Sequence, residues 1–224
     1  DEMVDISMLK LKAEYDFLEE LQNVLDTSYT KGFFEEQFKL EVRQKEGFIE
    51  AGIAYMQGAE CPFCHQSLGA EAQDLIHRYT VYLEDQESKI IRYLKQYQIQ
   101  LATFKEQLEQ FYNKEYVQCR REYNCIAHYF KDIAVLEEMT LSTTVLSAIA
   151  MLNEIIESKK LNISTVMTTH KENIQVIRRH MLTLTGYIGA INQKIQQVNR
   201  IKNNNDKTKL ELRKRICRAV FNET

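Results

Sequence analysis

Two long stretches of the chain place apolar residues alternately four and three positions apart. One runs Ile90, Leu94, Tyr97, Leu101, Phe104, Leu108, Phe111; the other reads Ile174, Ile177, Met181, Leu184, Ile188, Ile191, Ile195, Val198. Sustained spacing of this kind keeps a narrow apolar stripe facing a neighbouring helix, with polar flanks in solvent. It predicts antiparallel coiled-coil-like packing, with core helices of a compact bundle as the alternative.

The remaining pattern is coarser. Leu11, Tyr15, Leu18 and Leu25 stand at helical spacing and predict a helix from Ile6 to Tyr29, with Gly32 as a break and a second helical segment from Phe33 to Met56. Residues 58–69 cannot be regular helix, because Pro62 lacks the amide donor a helix interior needs. A long helix is expected from Ala70 to at least Phe111, reaching as far as Tyr129. Ser142 is a suitable N-cap for a shorter helix through Val145, Ile149, Leu152 and Ile156. Asn162 or Ser164 is expected to start a helix ending near Lys202. The run Asn203-Asn204-Asn205 reads as a turn, with Asp206 or Thr208 capping a last helix to about Phe221.

The expected fold is therefore all-α: long antiparallel coiled-coil helical hairpins with a Cys-x-x-Cys turn between the first two arms. The first hairpin takes residues 1–140, with its turn at 58–69, and the second takes 141–224 and ends in a basic helix. As helix, segments 5–58 and 70–128 each span up to ~80 Å at ~1.5 Å per residue. Matched arms and an even number of traverses leave both ends of the chain together, as an insertion into another domain requires.

Composition agrees with helices and narrows the function. One proline and seven glycines leave little punctuation for β-rich folds. A net charge of −3 does not describe a general nucleic-acid binder. The longest apolar run, Val145 to Leu152, is far short of the ~20 residues that span a bilayer, and no charged-then-apolar leader opens the sequence. Five cysteines at irregular spacing fit a reducing compartment, and a cytoplasmic setting without membrane association is expected.

The chemically pointed feature is Cys61-Pro62-Phe63-Cys64. Two cysteines separated by two residues can present both thiolates to one tetrahedral metal. No second pair of this spacing follows, since Cys119 and Cys125 are too far apart in sequence to repeat it. Cys217 is isolated. Three readings stand: zinc at Cys61 and Cys64 shared between two chains, a structural turn without metal, or a redox pair. His65 is a conceivable third ligand. The last segment is locally basic through Lys207, Lys209, Arg213, Lys214, Arg215 and Arg218, either as a solvated face or as a contact for nucleic acid or an acidic partner. His77, His128, His170 and His180 show no metal spacing. No acidic pair is disposed as acid and base, and no phosphate-binding glycine loop occurs. No catalytic or cofactor-binding residue is assigned, and catalysis by this segment is not expected.

The stretch Gly47–Leu68, GFIEAGIAYMQGAECPFCHQSL, resembles the coiled-coil insertion of SMC/ABC-like bacterial AAA ATPases related to anticodon nucleases. In that family an aromatic followed four residues on by glycine precedes a Cys-Pro-Phe-Cys-Gly-Gln turn. Phe48 and Gly52 match the first part, and Cys61, Pro62, Phe63, Cys64 and Gln66 the second. His65 stands where the family usually has glycine, and Phe48 where tryptophan is common. Asn199 to Arg218 resembles the family's second signature, an asparagine-containing stretch leading into a basic helix. The resemblance implies a structural or interaction arm that self-associates or transmits nucleotide state. It also implies an ATPase head elsewhere in the parent chain, and a role in phage defence or nucleic-acid surveillance. A nucleic-acid-binding segment and a free-standing coiled-coil scaffold are the alternatives.

Overall fold

The computed structural model describes residues 5–56, 58–128 and 133–222. Residues 205, 206, 208, 211, 212, 215, 216 and 218–222 are described in their backbone alone. The protein is all-α: α1 (Phe17–Asp26), α2 (Glu36–Gln44), α3 (Glu46–Ala54), α4 (Ala70–Glu84), α5 (Gln86–Gln110), a π-helical turn (Phe111–Glu115), α6 (Tyr116–Ala127), α7 (Thr143–Leu161) and α8 (His170–Asn222). Among the described residues the sole β feature is an isolated bridge, Glu60 to Ser67. All seven residues of the first heptad run and all eight of the second are buried.

The chain divides into two compact units, and each draws on both sides of the 140/141 boundary. One holds residues 16–100 and 151–171; the other holds 1–15, 101–150 and 172–224.

In the 16–100 unit, Val42, Ile49, Tyr82 and Leu83 form a core cluster joined by Phe34, Phe38, Ile53 and Tyr79. The single helix expected from Ala70 onward is broken at Asp85, whose backbone is extended (ψ 148°). Asp85 Oδ2 accepts the Glu87 amide at 3.0 Å and so caps α5. Gly32 fits this corner because a Cβ there would stand 2.7 Å from Asp85 Oδ2. The Glu87 carboxylate then accepts from Gly32 N (2.8 Å), Lys39 Nζ (2.8 Å) and Arg43 Nη2 (2.9 Å), and Arg43 Nε donates to the Tyr82 hydroxyl at 3.0 Å. Burial alone would push the Glu87 carboxyl up. The bonds from Lys39 and Gly32, with the Lys39 and Arg43 charges, outweigh it and hold the group below the usual carboxylate range.

Residues 33–56, expected as one helical segment, form α2 and α3 with a break at Lys45 (φ −115°, ψ 15°). At the C-terminal end of α1, Tyr29 N donates to Ile163 O and Met167 N to Leu25 O. Buried Lys159 donates to the carbonyls of Thr27 and Thr165. These bonds satisfy the 162–167 backbone outside a helix, so α8 begins at His170 rather than at Asn162 or Ser164. Ser142 caps α7 as the sequence suggests, its Oγ accepting the Thr144 amide at 3.3 Å.

In the other unit the first stripe continues through the π turn, where Tyr116 N bonds to Phe111 O. A π turn inserts one extra residue into the helical ladder. Extending the four-three alternation past Phe111 points to 115, 118 and 122, whereas Tyr116, Cys119 and Tyr123 are the buried residues. Each falls one position later, so the π turn rephases the stripe without ending the rod.

Residues 5–15 form no regular element, although the spacing of Leu11, Tyr15, Leu18 and Leu25 predicts a helix from Ile6. Asn199 and Asn192 supply the hydrogen bonds that a helix would otherwise provide to Ile6 and Leu9. α8 runs unbroken through Asn203–Asn205, where a turn was expected. Asparagine costs only about half a kilocalorie per mole relative to the best helix formers, and no glycine or proline follows to stop the helix.

Candidate metal centre

The Cys61–Cys64 turn lies between α3 and α4 in the 16–100 unit. Its shape is set by its own backbone. Leu68 N donates to Ala59 O (2.8 Å), Cys61 N to Gln66 O (2.9 Å) and His65 N to Cys61 O (2.9 Å). Two left-handed residues let so short a loop fold back: Gly58 at φ 69° and His65 at φ 57°. Glycine occupies such a position without cost, whereas a side chain costs roughly 1–2 kcal/mol. At position 65 a histidine thus adopts the conformation that glycine favours. The Gln73 side chain donates to Leu68 O at 2.7 Å and ties the loop to α4.

Cys61 and Cys64 approach to 3.6 Å. Zinc–sulfur bonds of about 2.3 Å at the tetrahedral angle would set two sulfurs about 3.8 Å apart, so the pair is already close to the edge of a metal tetrahedron. The backbone N–H groups of Phe63 and Cys64 point at the Cys61 sulfur and draw its thiol below the ordinary value. Cys64 is exposed and Cys61 half-buried, and both are free thiols. His65 is exposed. Among the described residues no cluster of three or more histidine, cysteine or acidic side chains is arranged to hold a metal. The donor set thus fits half a tetrahedral site.

The two parts of the sequence motif meet at this turn. Phe48 of α3 stacks on Phe63 of the loop, with ring centroids 5.9 Å apart and planes 9° from parallel. Both rings are largely solvent-exposed, at 66% and 72%. Cys61, Pro62, Phe63 and Leu68 share an apolar cavity of about 170 Å³ with residues that include Phe48, Gly52, Ile76 and Tyr79. Ile76 and Tyr79 were not singled out from sequence, though their spacing on the first turns of α4 was visible.

Other candidate residues lie elsewhere. Cys119 and Cys125 are on α6 in the other unit; Cys119 is buried, and burial pushes its thiol up to about 11. Lys207, Lys209, Arg213 and Lys214 are exposed on α8, while the side chains of Arg215 and Arg218 lie outside the described residues. Lys207 and Lys214, seven apart, share one side of the helix, whereas Lys209 and Arg213 fall on roughly the opposite side. The described basic charge is therefore divided between two faces. His170 is fully buried with Nε2 3.4 Å from Asp26 Oδ1, and His180 pairs with the Tyr112 hydroxyl at 3.2 Å. Among the described residues no helix is long and apolar enough to cross a membrane.

Comparison with protein-family models, with curated proteins and with solved structures found no match.

Proposed function

We propose that this chain is a non-catalytic helical arm that self-associates through its cysteine turn, two turns from two chains together holding one zinc ion. The observation that carries this reading is an outward-facing half-site. Two thiols sit at near-tetrahedral spacing and one is acidified by backbone amides, with no third donor grouped beside them among the described residues. Cys61 and Cys64 of each chain would be the ligands, and bound zinc supplies a closed tetrahedral link. The exposed Phe48 and Phe63 rings flank that junction and supply apolar area for the contact.

The resemblance of Gly47–Leu68 to the coiled-coil insertion of SMC-like ATPases sets the wider proposal. In it, the arm projects from a cytoplasmic ATPase whose nucleotide-binding head lies elsewhere in the parent chain, and the buried heptad stripes stiffen it as coiled-coil hairpins. Pairing of turns would let nucleotide state in one head be felt by its neighbour, in phage defence or nucleic-acid surveillance. Light scattering on the eluted full chain tests the pairing. The expected result is a dimer in zinc that reverts to monomer with chelator and does not form in Cys61→Ser. A monomer under all three conditions refutes it.

The second reading, nucleic-acid binding through the α8 basic residues, is supported by their exposure and weakened by their division between two faces. It predicts salt-dependent RNA or DNA binding that disappears when Arg213 and Lys214 become glutamate.

A further inference from the structure

Within one chain, the cysteine turn holds half of what a tetrahedral metal needs and all of what a disulfide needs. The Cys61 and Cys64 sulfurs stand 3.6 Å apart. A disulfide bond is about 2.05 Å long, so closure asks the two atoms to approach by about 1.5 Å. Both are free thiols. The backbone between and around them is fixed without their help, since His65 N donates to Cys61 O and Cys61 N to Gln66 O, both at 2.9 Å. Rotation of the exposed Cys64 side chain can therefore bring the sulfurs together while the loop keeps its shape.

The two sulfurs differ in access. Cys61 is half-buried against the apolar cavity that Pro62, Phe63 and Leu68 share, and its sulfur accepts hydrogen bonds from the Phe63 and Cys64 amides and from the Cys64 thiol. Cys64 is exposed, so a reagent in solvent meets it first. The cysteines of α6 make no such pair. Cys119 is buried, and Cys125, six residues further on, is displaced by ~9 Å along the helix axis, beyond the reach of a disulfide.

We infer that Cys61 and Cys64 form a reversible dithiol–disulfide couple oxidised by low-molecular-weight disulfides, and that its closure withdraws both sulfurs from the metal half-site. The Cys64 thiolate attacks one sulfur of the small disulfide; a mixed disulfide forms as the small S–S bond breaks, and one small thiolate leaves. The Cys61 thiolate then attacks the Cys64 sulfur, forms the Cys61–Cys64 bond and expels the second small thiolate. Two protein thiols are oxidised and one small disulfide is reduced to two thiols, which take up the two protons the cysteines lose. Excess small thiol drives the same steps in reverse. An exposed disulfide is of the readily reduced kind, which suits a switch better than a structural staple. The consequence for metal rests on the half-site reading given above, whereas the couple itself stands without it.

The test places the full chain, free of metal, in a series of reduced and oxidised glutathione mixtures, quenched in acid and mapped by mass spectrometry. The expected product is a Cys61–Cys64 disulfide within one chain, lighter by two hydrogens and reversed by excess reduced glutathione. Cys61→Ser should instead accumulate glutathione on Cys64, an adduct that the unaltered chain does not retain. Glutathione that stays on Cys64 of the unaltered chain, or disulfides formed only between chains, overturns the couple; no adduct on Cys64 in Cys61→Ser overturns Cys64 as the entry sulfur. Zinc separates this inference from the half-site reading. Saturating zinc should slow closure at least tenfold. Closure at an equal rate with zinc present contradicts the metal site and supports the couple, whereas a zinc-linked dimer whose cysteines stay reduced throughout the metal-free series overturns the couple and leaves the metal site.

Discussion

The cysteine turn and the 5–15 segment are the two non-helical pieces with the most defined geometry, and they are held in opposite ways. The turn closes on its own backbone, through the Ala59–Leu68 and Cys61–Gln66 bonds, and leaves its thiols and the Phe63 ring facing outward. The extended segment makes no such bonds with itself. The peptide groups of Ile6 and Leu9 are satisfied by Asn199 and Asn192, and the side chains of Ile6, Leu9 and Ala13 are buried. A self-supporting loop can offer its chemistry to another molecule without losing shape, whereas a borrowed segment keeps its shape only while α8 holds it.

Four perturbations separate these two modes, and the largest acts beneath the turn. Glu87→Gln removes the buried charge partner of Lys39 and leaves it only the exposed Glu36 carboxylate at 3.0 Å, so the loss approaches the about 3–5 kcal/mol of a broken buried pair. Urea denaturation should show that loss, while the reaction rate of the turn's thiols with a disulfide reagent in native buffer stays unchanged. A parallel change in both would mean that the turn depends on its scaffold. The pH dependence has a definite sign. Because the Glu87 carboxyl is held below its ordinary value of 4.5 in the fold, its contribution is present above that pH and is lost as acid carries the solution down through the depressed value. Unaltered protein should lose stability there more steeply than Glu87→Gln.

The bonding of backbone by asparagine side chains comes next, and it recurs on α6, where Asn124 accepts the Leu136 amide at 2.7 Å and donates to its carbonyl at 3.0 Å. Asn124→Leu keeps volume but strands the Leu136 N–H and C=O, at about 1–3 kcal/mol by urea denaturation. A neutral result would indicate that water replaces the carboxamide and that these bonds contribute no stability. The remaining two effects are smaller and fall on the turn. His65→Gly removes a side chain from a left-handed backbone and should raise stability by up to about 1 kcal/mol, visible as a higher urea midpoint. A decrease would mean that the imidazole contributes more than its conformation costs. Alkylation of Cys61 by iodoacetamide, followed peptide by peptide, should rise through a midpoint below that of an ordinary thiol, because backbone N–H groups favour its thiolate. A midpoint at or above the ordinary value contradicts that hydrogen bonding.

Much of the helical layout was legible from spacing, because a stripe of alternating three and four has few other solutions. Residues 58–69 were also readable as non-helical, since Pro62 and the bounding glycines disfavour helix. Two of the misread places share one cause: a local pattern was satisfied by a distant partner. The helix predicted from Ile6 by Leu11, Tyr15, Leu18 and Leu25 starts only at Phe17, because Asn192 and Asn199, far along the chain, bond the backbone of Leu9 and Ile6. Asp85 sits in a run that reads as continuous helix, and it breaks that run because Gly32 and Glu87 complete a corner around it. The phase shift at Phe111 was readable in principle, since Tyr116, Cys119 and Tyr123 repeat the stripe one residue late. At the site, the cysteine pair was visible, but the stacking of Phe48 on Phe63 and the left-handed His65 required the fold.

If each turn supplies half of a shared metal site, a cobalt titration of the full chain reads the sharing as a stoichiometry. Cobalt in four-thiolate tetrahedral coordination absorbs intensely in the visible. With a shared site this absorption saturates at half an equivalent per chain, in a particle of twice the 26.4 kDa chain mass. Saturation at one equivalent on a 26.4 kDa particle, or no thiolate-to-cobalt absorption, would contradict it.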